Sequence, residues 1–122
     1  MKIYVRDNRS DAELRAIGDA VHEALVAQAN VPADDRFQIL NRLDRDRIVA
    51  HPSYGGVTRS DDIVIVEITL NAGRTVEVKK KLYAGIAARL ESVGVRPDDV
   101  LISLIEVTKE NWSFGGGRAT YA

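Results

Sequence analysis

Apolar residues occupy four consecutive positions, Ile63 to Val66, within Asp62-Ile63-Val64-Ile65-Val66-Glu67-Ile68-Thr69-Leu70. A strand with one wet face alternates apolar and polar side chains, so this run predicts a long strand shielded from water on both faces. The breaker Asn71-Ala72-Gly73 follows, and from Arg74-Thr75 onward Val78, Leu82, Ile86, Leu90 and Val93 recur at helical spacing. The same strand, turn and helix open the chain at a fixed offset. Ile3 lies on Ile68, Val5 on Leu70, Arg9 on Arg74, Ser10 on Thr75, Ile17 on Leu82, Val21 on Ile86, Leu25 on Leu90, Pro32 on Pro97, Asp34 on Asp99 and Ile39 on Leu104. The turn residues that flank each helix, Arg-Ser/Thr before and Pro-x-Asp after, carry the correspondence better than the helix stripes do. They predict two copies of a β-α-β unit.

The first strand is predicted over Lys2–Arg6, with Ile3 and Val5 inward. Ser10 with Glu13 makes a capping box, and the helix it opens runs to about Asn30. His22 lies off the centre of that helix's apolar stripe, where a helix-edge histidine with nothing to orient it is expected. A second strand is expected over Arg36–Leu40, extended toward Leu43, then a charged hairpin turn at Asp44–Asp46 and a brief return strand over Arg47–Ala50. His51-Pro52-Ser53-Tyr54-Gly55-Gly56 is too rich in breakers for regular structure and holds no phosphate-cradling pattern. Lys79-Lys80-Lys81 reads as a solvated helix face. A last strand over Val100–Val107 is again apolar on both faces, and a glycine-rich aromatic tail closes the chain. One domain is expected over 1–122: repeat one about 2–43, a hairpin and loop 44–60, repeat two about 61–108, and an arm 109–122.

Charge and composition narrow the function. Seventeen basic and eighteen acidic residues leave a net charge of −1, with no global field to attract nucleic acid or an anionic membrane. Cysteine is absent and the two histidines are far apart, so neither a disulfide framework nor a thiolate or histidine metal cluster is expected. No apolar run approaches the ~18 residues of a membrane span, and no signal-peptide core opens the chain. A cytoplasmic location is the expectation.

Two strands that are apolar on both faces create a packing problem. Right-handed crossovers of equivalent units put both helices on the same side of a four-stranded mixed sheet. The opposite face then needs a cover, and further copies of the chain in a closed ring supply it. A homo-oligomer is therefore expected, with the tail as an arm toward a neighbour.

The two β-α-β units, the Ser/Thr-initiated helices, Asp35-Arg36-Phe37-Gln38 and the closing Asn111-Trp112-Ser113-Phe114-Gly115-Gly116-Gly117-Arg118 resemble the tautomerase superfamily, and within it the malonate semialdehyde decarboxylase group. The resemblance covers nearly the whole chain. It implies homotrimers or hexamers acting on small keto, enol or haloacrylic acids without metal or cofactor, through the secondary amine of an amino-terminal proline. This chain begins Met1-Lys2, and methionine is normally trimmed only before a small side chain, so Met1 is expected to stay and the proline to be lacking. The group's aspartate falls on Asp35 and the second of its two substrate-binding arginines on Arg74, while the first falls on Ala72. Its aromatic wall is matched by Trp112, Phe114 and Tyr121.

By chemistry alone, Arg74 offers a guanidinium fork for a small carboxylate, against a salt bridge as its structural use. Asp35 orients water or substrate, or serves the turn. Met1 supplies an α-amine near pKa 8, which needs about one unit of depression to be half neutral at pH 7. Lys2 needs more than about three units and is the weaker base. Two functions follow. One is a trimeric scaffold with a small-carboxylate pocket whose family activity is lost or strongly altered. The alternative is a weak cofactor-free tautomerase, decarboxylase or hydratase on small keto or enol acids.

Overall fold

The structure is a computed structural model describing residues 1–122. Its elements are β1 (Lys2–Arg6), α1 (Asp11–Ala29), β2 (Ile39–Leu43), β3 (Val64–Asn71), α2 (Val76–Ser92) and β4 (Val100–Val107). They form a four-stranded mixed sheet in the order β2-β1-β3-β4. β1 is parallel to β2, β3 is parallel to β4, and β1 meets β3 antiparallel at the centre. Two parallel β-α-β units are thus joined back to back, as the repeat predicts.

Burial in β3 alternates, with Val64, Val66, Ile68 and Leu70 inward. With Ile3 and Val5 they form one core with Leu14, Ile17, Val21 and Leu25 of α1 and Leu82, Ile86 and Leu90 of α2. Both helices therefore share one face of the sheet. On the other face Leu101 and Ile105 of β4 stand 38% and 49% exposed, and Ile39 of β2 is 57% exposed. The helix starts repeat as well. Ser10 Oγ accepts from Glu13 N at 3.1 Å and the Glu13 carboxylate returns to Ser10 N, while Thr75 Oγ1 accepts from Val78 N at 3.2 Å.

Three local expectations are corrected. β2 begins at Ile39, because Arg36 and Gln38 turn back onto α1: Arg36 Nη2 meets Asp19 Oδ1 at 2.6 Å and Gln38 Nε2 donates to Gly18 O at 2.8 Å. The turn at Asp44 is a single 3-10 turn over Arg45–Arg47 and makes no hairpin. No return strand forms over Arg47–Ala50. Ile48 instead tucks inward, 7% exposed, and its carbonyl takes Arg6 Nη2 at 2.8 Å, so a side chain anchors this backbone where a ladder was expected.

The two repeats differ at the turn between helix and final strand. Asp99 is fully buried and accepts from both Ser60 N (2.7 Å) and Ser60 Oγ (2.6 Å), and Asp98 accepts from Thr58 N at 3.0 Å. The loop before β3 is thereby fastened onto the second repeat. Asp34, the counterpart of Asp99, stays exposed.

Ile86→Ala, which empties a fully buried site between α2 and the sheet, is expected to cost about 2–5 kcal/mol, and Ser10→Ala about 1 kcal/mol through loss of the cap. Urea unfolding followed by circular dichroism measures both.

Candidate functional site

At the first repeat's helix-to-strand turn the fold opens a cavity of about 840 Å³. Met1, Asp35, Arg74, Trp112, Phe114 and Tyr121 all line it, although they are spread over the whole sequence. Lys2 does not. Strand alternation turns it to the opposite side from Ile3, where it is exposed.

The first residue is held on both sides by the segment leading into β2. Its α-amine donates to Phe37 O at 3.0 Å, its carbonyl accepts from Ile39 N at 3.0 Å, and Gln38 Nε2 reaches its sulfur at 3.6 Å. Burial pushes the amine's pKa below the ordinary α-amine value, the positive charge of Lys2 pushes it further, and the carboxylate of Asp35 pulls it back up. Asp35 itself is exposed at the end of the turn closed by its own N–H on Pro32 O at 3.0 Å.

Arg74 arrives through Gly73, whose φ of 122° only glycine adopts without strain, immediately before the cap of α2. Nε and Nη2 donate to Ala29 O at 3.1 and 2.8 Å, and Nη1 to Asn71 O at 3.1 Å. The guanidinium thus caps the carboxyl end of α1, a favourable place for a cation. Three of its five N–H groups are used, two remain, and no carboxylate pairs with it. Of the two uses open to it, the salt bridge is absent, and backbone carbonyls take its place as structural partners. Glu106 feels the charge of Arg74, but its carboxylate is taken by Lys79 Nζ at 2.5 Å, the chief reason its pKa is lowered. The other arginine of the cavity, Arg36, is paired with Asp19.

The arm supplies the aromatic wall. Positive φ at Gly115, Gly116 and Gly117 reverses the chain, and Thr120 is tied back by its N–H to Trp112 O at 3.2 Å and by its hydroxyl to Phe114 N at 3.0 Å. Trp112 and Phe114 stack with centroids 5.2 Å apart. Phe37 and Tyr121 meet Phe114 at 5.5 and 5.6 Å, the latter edge-on.

Residues 35–115 match the model of a family described as Tautomerase enzyme. This chain belongs to the tautomerase family. A probable tautomerase, YusQ, of Bacillus subtilis (strain 168) is 38% identical to it over 120 residues, covering 98% of this chain and 94% of its own. Among solved structures, the FG41 malonate semialdehyde decarboxylase inhibited by 3-bromopropiolate aligns with a TM-score of 0.91 and 43% identity over 98% of this chain and 92% of that one. A second malonate semialdehyde decarboxylase gives 0.89 and 34% over 98% and 93%.

In this tautomerase-family chain two cavity residues escaped sequence reasoning. His22 is oriented after all, its Nε2 lying 2.8 Å from Ala33 O on the turn that carries Asp35. Asn71 read as part of a breaker, yet its Oδ1 accepts from Trp112 Nε1 at 2.7 Å. Only a polar residue just before a glycine turn hinted at it. No three His, Asp or Glu side chains assemble as a metal site.

Because Arg74 serves two backbone carbonyls, Arg74→Ala should cost about 1–3 kcal/mol of folding stability in addition to any effect on binding, and Arg74→Lys less. Thermal and urea unfolding of the two variants test this.

Proposed function

We propose that the cavity is a cofactor-free acid–base site for a small carboxylic acid bearing an oxo or enol group. Arg74 holds the carboxylate, the α-amine of Met1 moves the proton, Asp35 orients the reacting end, and Trp112, Phe114 and Tyr121 wall off water. The observation that carries this reading is the amine, which lines the cavity with its pKa depressed toward neutrality and an unpaired arginine on the same wall. A general base works best when its pKa lies near the working pH. With Met1 kept as first residue the amine is primary. Once neutral it has one N–H for Phe37 O and a lone pair for substrate. Lys2, away from the cavity, tunes the amine by its charge and does no chemistry itself.

The names of the relatives support keto–enol interconversion or decarboxylation as the reaction class. If Met1 is the first residue in place of the proline amine that the resemblance implies, family turnover is altered in rate and pH range. One observation favours binding without turnover: the bond to Phe37 O also suits the protonated amine, which is no base.

The reading extends to a homotrimer in which neighbouring copies cover the sheet face bearing Ile39, Leu101 and Ile105, since exposed apolar area of this kind is stabilised by association. Light scattering should give three chains per particle, and Ile105→Asp should dissociate it.

Phenylenolpyruvate should ketonise faster than in buffer alone, with kcat/KM at least about tenfold lower in Arg74→Ala. One residue added before Met1, checked by intact mass, should remove the activity. A rate at background in the unextended protein would leave binding alone. With the neutral amine as base, kcat/KM should rise with pH and level off above an inflection lying below about 8. The Asp35 carboxylate raises the amine's pKa, so Asp35→Asn should move that inflection to lower pH.

A further inference from the structure

We propose that Asn71 determines which acids the cavity accepts, by presenting a neutral hydrogen-bond donor in the same cavity as Arg74 that reads a second, uncharged oxygen on the ligand. The inference rests on the cavity being a small-acid site. It goes further in naming the ligand's second functional group and the residue that recognises it.

The orientation of an asparagine amide is usually ambiguous, but here a neighbour settles it. An indole N–H only donates, so the atom 2.7 Å from Trp112 Nε1 must be the carbonyl oxygen of Asn71. The amide nitrogen therefore points the other way. It carries two N–H donors that meet no acceptor anywhere in the chain, in a half-buried residue lining the cavity. The Asn71 backbone carbonyl meets Arg74 Nη1 at 3.1 Å, and both residues line the one cavity. Both are fixed, Arg74 by backbone carbonyls and Asn71 by the arm's indole. A ligand that uses both gains without ordering either side chain.

Charge then sets the ligand class. Arg74 is the only arginine of the cavity without a carboxylate partner, and Asp34 and Asp35 stand on the same lining. With the Met1 amine neutral, one carboxylate is matched by one cation. A second carboxylate would meet a neutral amide and two acids. The geometry thus points to monocarboxylates with an oxo, enol or hydroxyl oxygen near the carboxylate, with dicarboxylates disfavoured. Trp112 enters as a positioning residue, holding the amide in its donor-forward orientation.

The chain's single tryptophan is Trp112, so its fluorescence reports on the cavity whether or not turnover occurs. The probes are 2-hydroxybutanoate, which has the neutral oxygen but cannot condense with an amine, butanoate, which lacks it, and succinate. In the wild-type chain 2-hydroxybutanoate should bind about three- to tenfold more tightly than butanoate, the range expected for one neutral hydrogen bond, and succinate should bind more weakly than either. Asn71→Leu should lower the affinity for 2-hydroxybutanoate to that for butanoate and leave butanoate unchanged. Asn71→Asp keeps the acceptor for the indole but replaces the donors with a negative charge, and should weaken both. Trp112→Phe, followed by calorimetry, should lose part of the preference. Equal affinities in the wild-type chain, or a preference that survives Asn71→Leu, would overturn the role of Asn71 while the acid site stands. Binding of none of the three acids by wild-type protein, by fluorescence and calorimetry alike, would overturn both. Matching near-ultraviolet circular dichroism of Asn71→Asp and wild type controls for folding.

Discussion

Right-handed crossover is the constraint on which the rest of the structure depends. Two like units joined antiparallel at their first strands send both helices to one face of the sheet, and the shared core of Ile3, Val5, Val64, Val66, Ile17 and Ile86 lies between helices and strands. Burying that face leaves the apolar side chains of β4 and the start of β2 on the other, so the same event that makes the core also makes a surface that water covers poorly. Coverage of one face and exposure of the other are a single consequence of topology.

The site is equally a product of that topology. Parallel pairing of β1 with β2 places the chain's first residue against 37–39, and the crossover helix ends nearby, so the amine and the capped end of α1 come to the same corner. The antiparallel junction brings the end of β3 there too, and with it Asn71 and Arg74. The amine and the guanidinium are each fixed by backbone carbonyls that are part of the fold. Positioning of this kind comes from the architecture and needs little local adjustment.

Much of this was legible in the sequence. The paired strands, both helices and their caps followed from apolar spacing and from Ser10 and Thr75, and two-sided strands implied a sheet with an uncovered face. The displaced start of β2 was not legible, because Arg36 and Gln38 answer to Asp19 and Gly18 of α1, a tertiary pull that strand propensity does not encode. The absent return strand has the same origin in Arg6, whose long side chain takes the carbonyl of Ile48. Within the cavity, Met1, Asp35, Arg74 and the aromatic arm were identified from spacing and resemblance. The partner of Arg74 was not, since a guanidinium at a glycine turn looks the same in sequence whether it faces an acid or a helix end. Asn71 was missed because its meaning comes from an indole far along the chain.

The buried Asp99 makes the two halves of the repeat unequal. A duplicated unit begins with two equivalent corners, and in this molecule the second is tied down: a serine from the intervening loop donates twice to its aspartate, while Asp34 at the first corner stays in water. Internal duplication here has therefore been converted into a division of labour, one half bracing and the other remaining open. If the proposed acid site is the open corner, saturation stoichiometry is one molecule per polypeptide, half of what the pseudo-twofold repeat would permit.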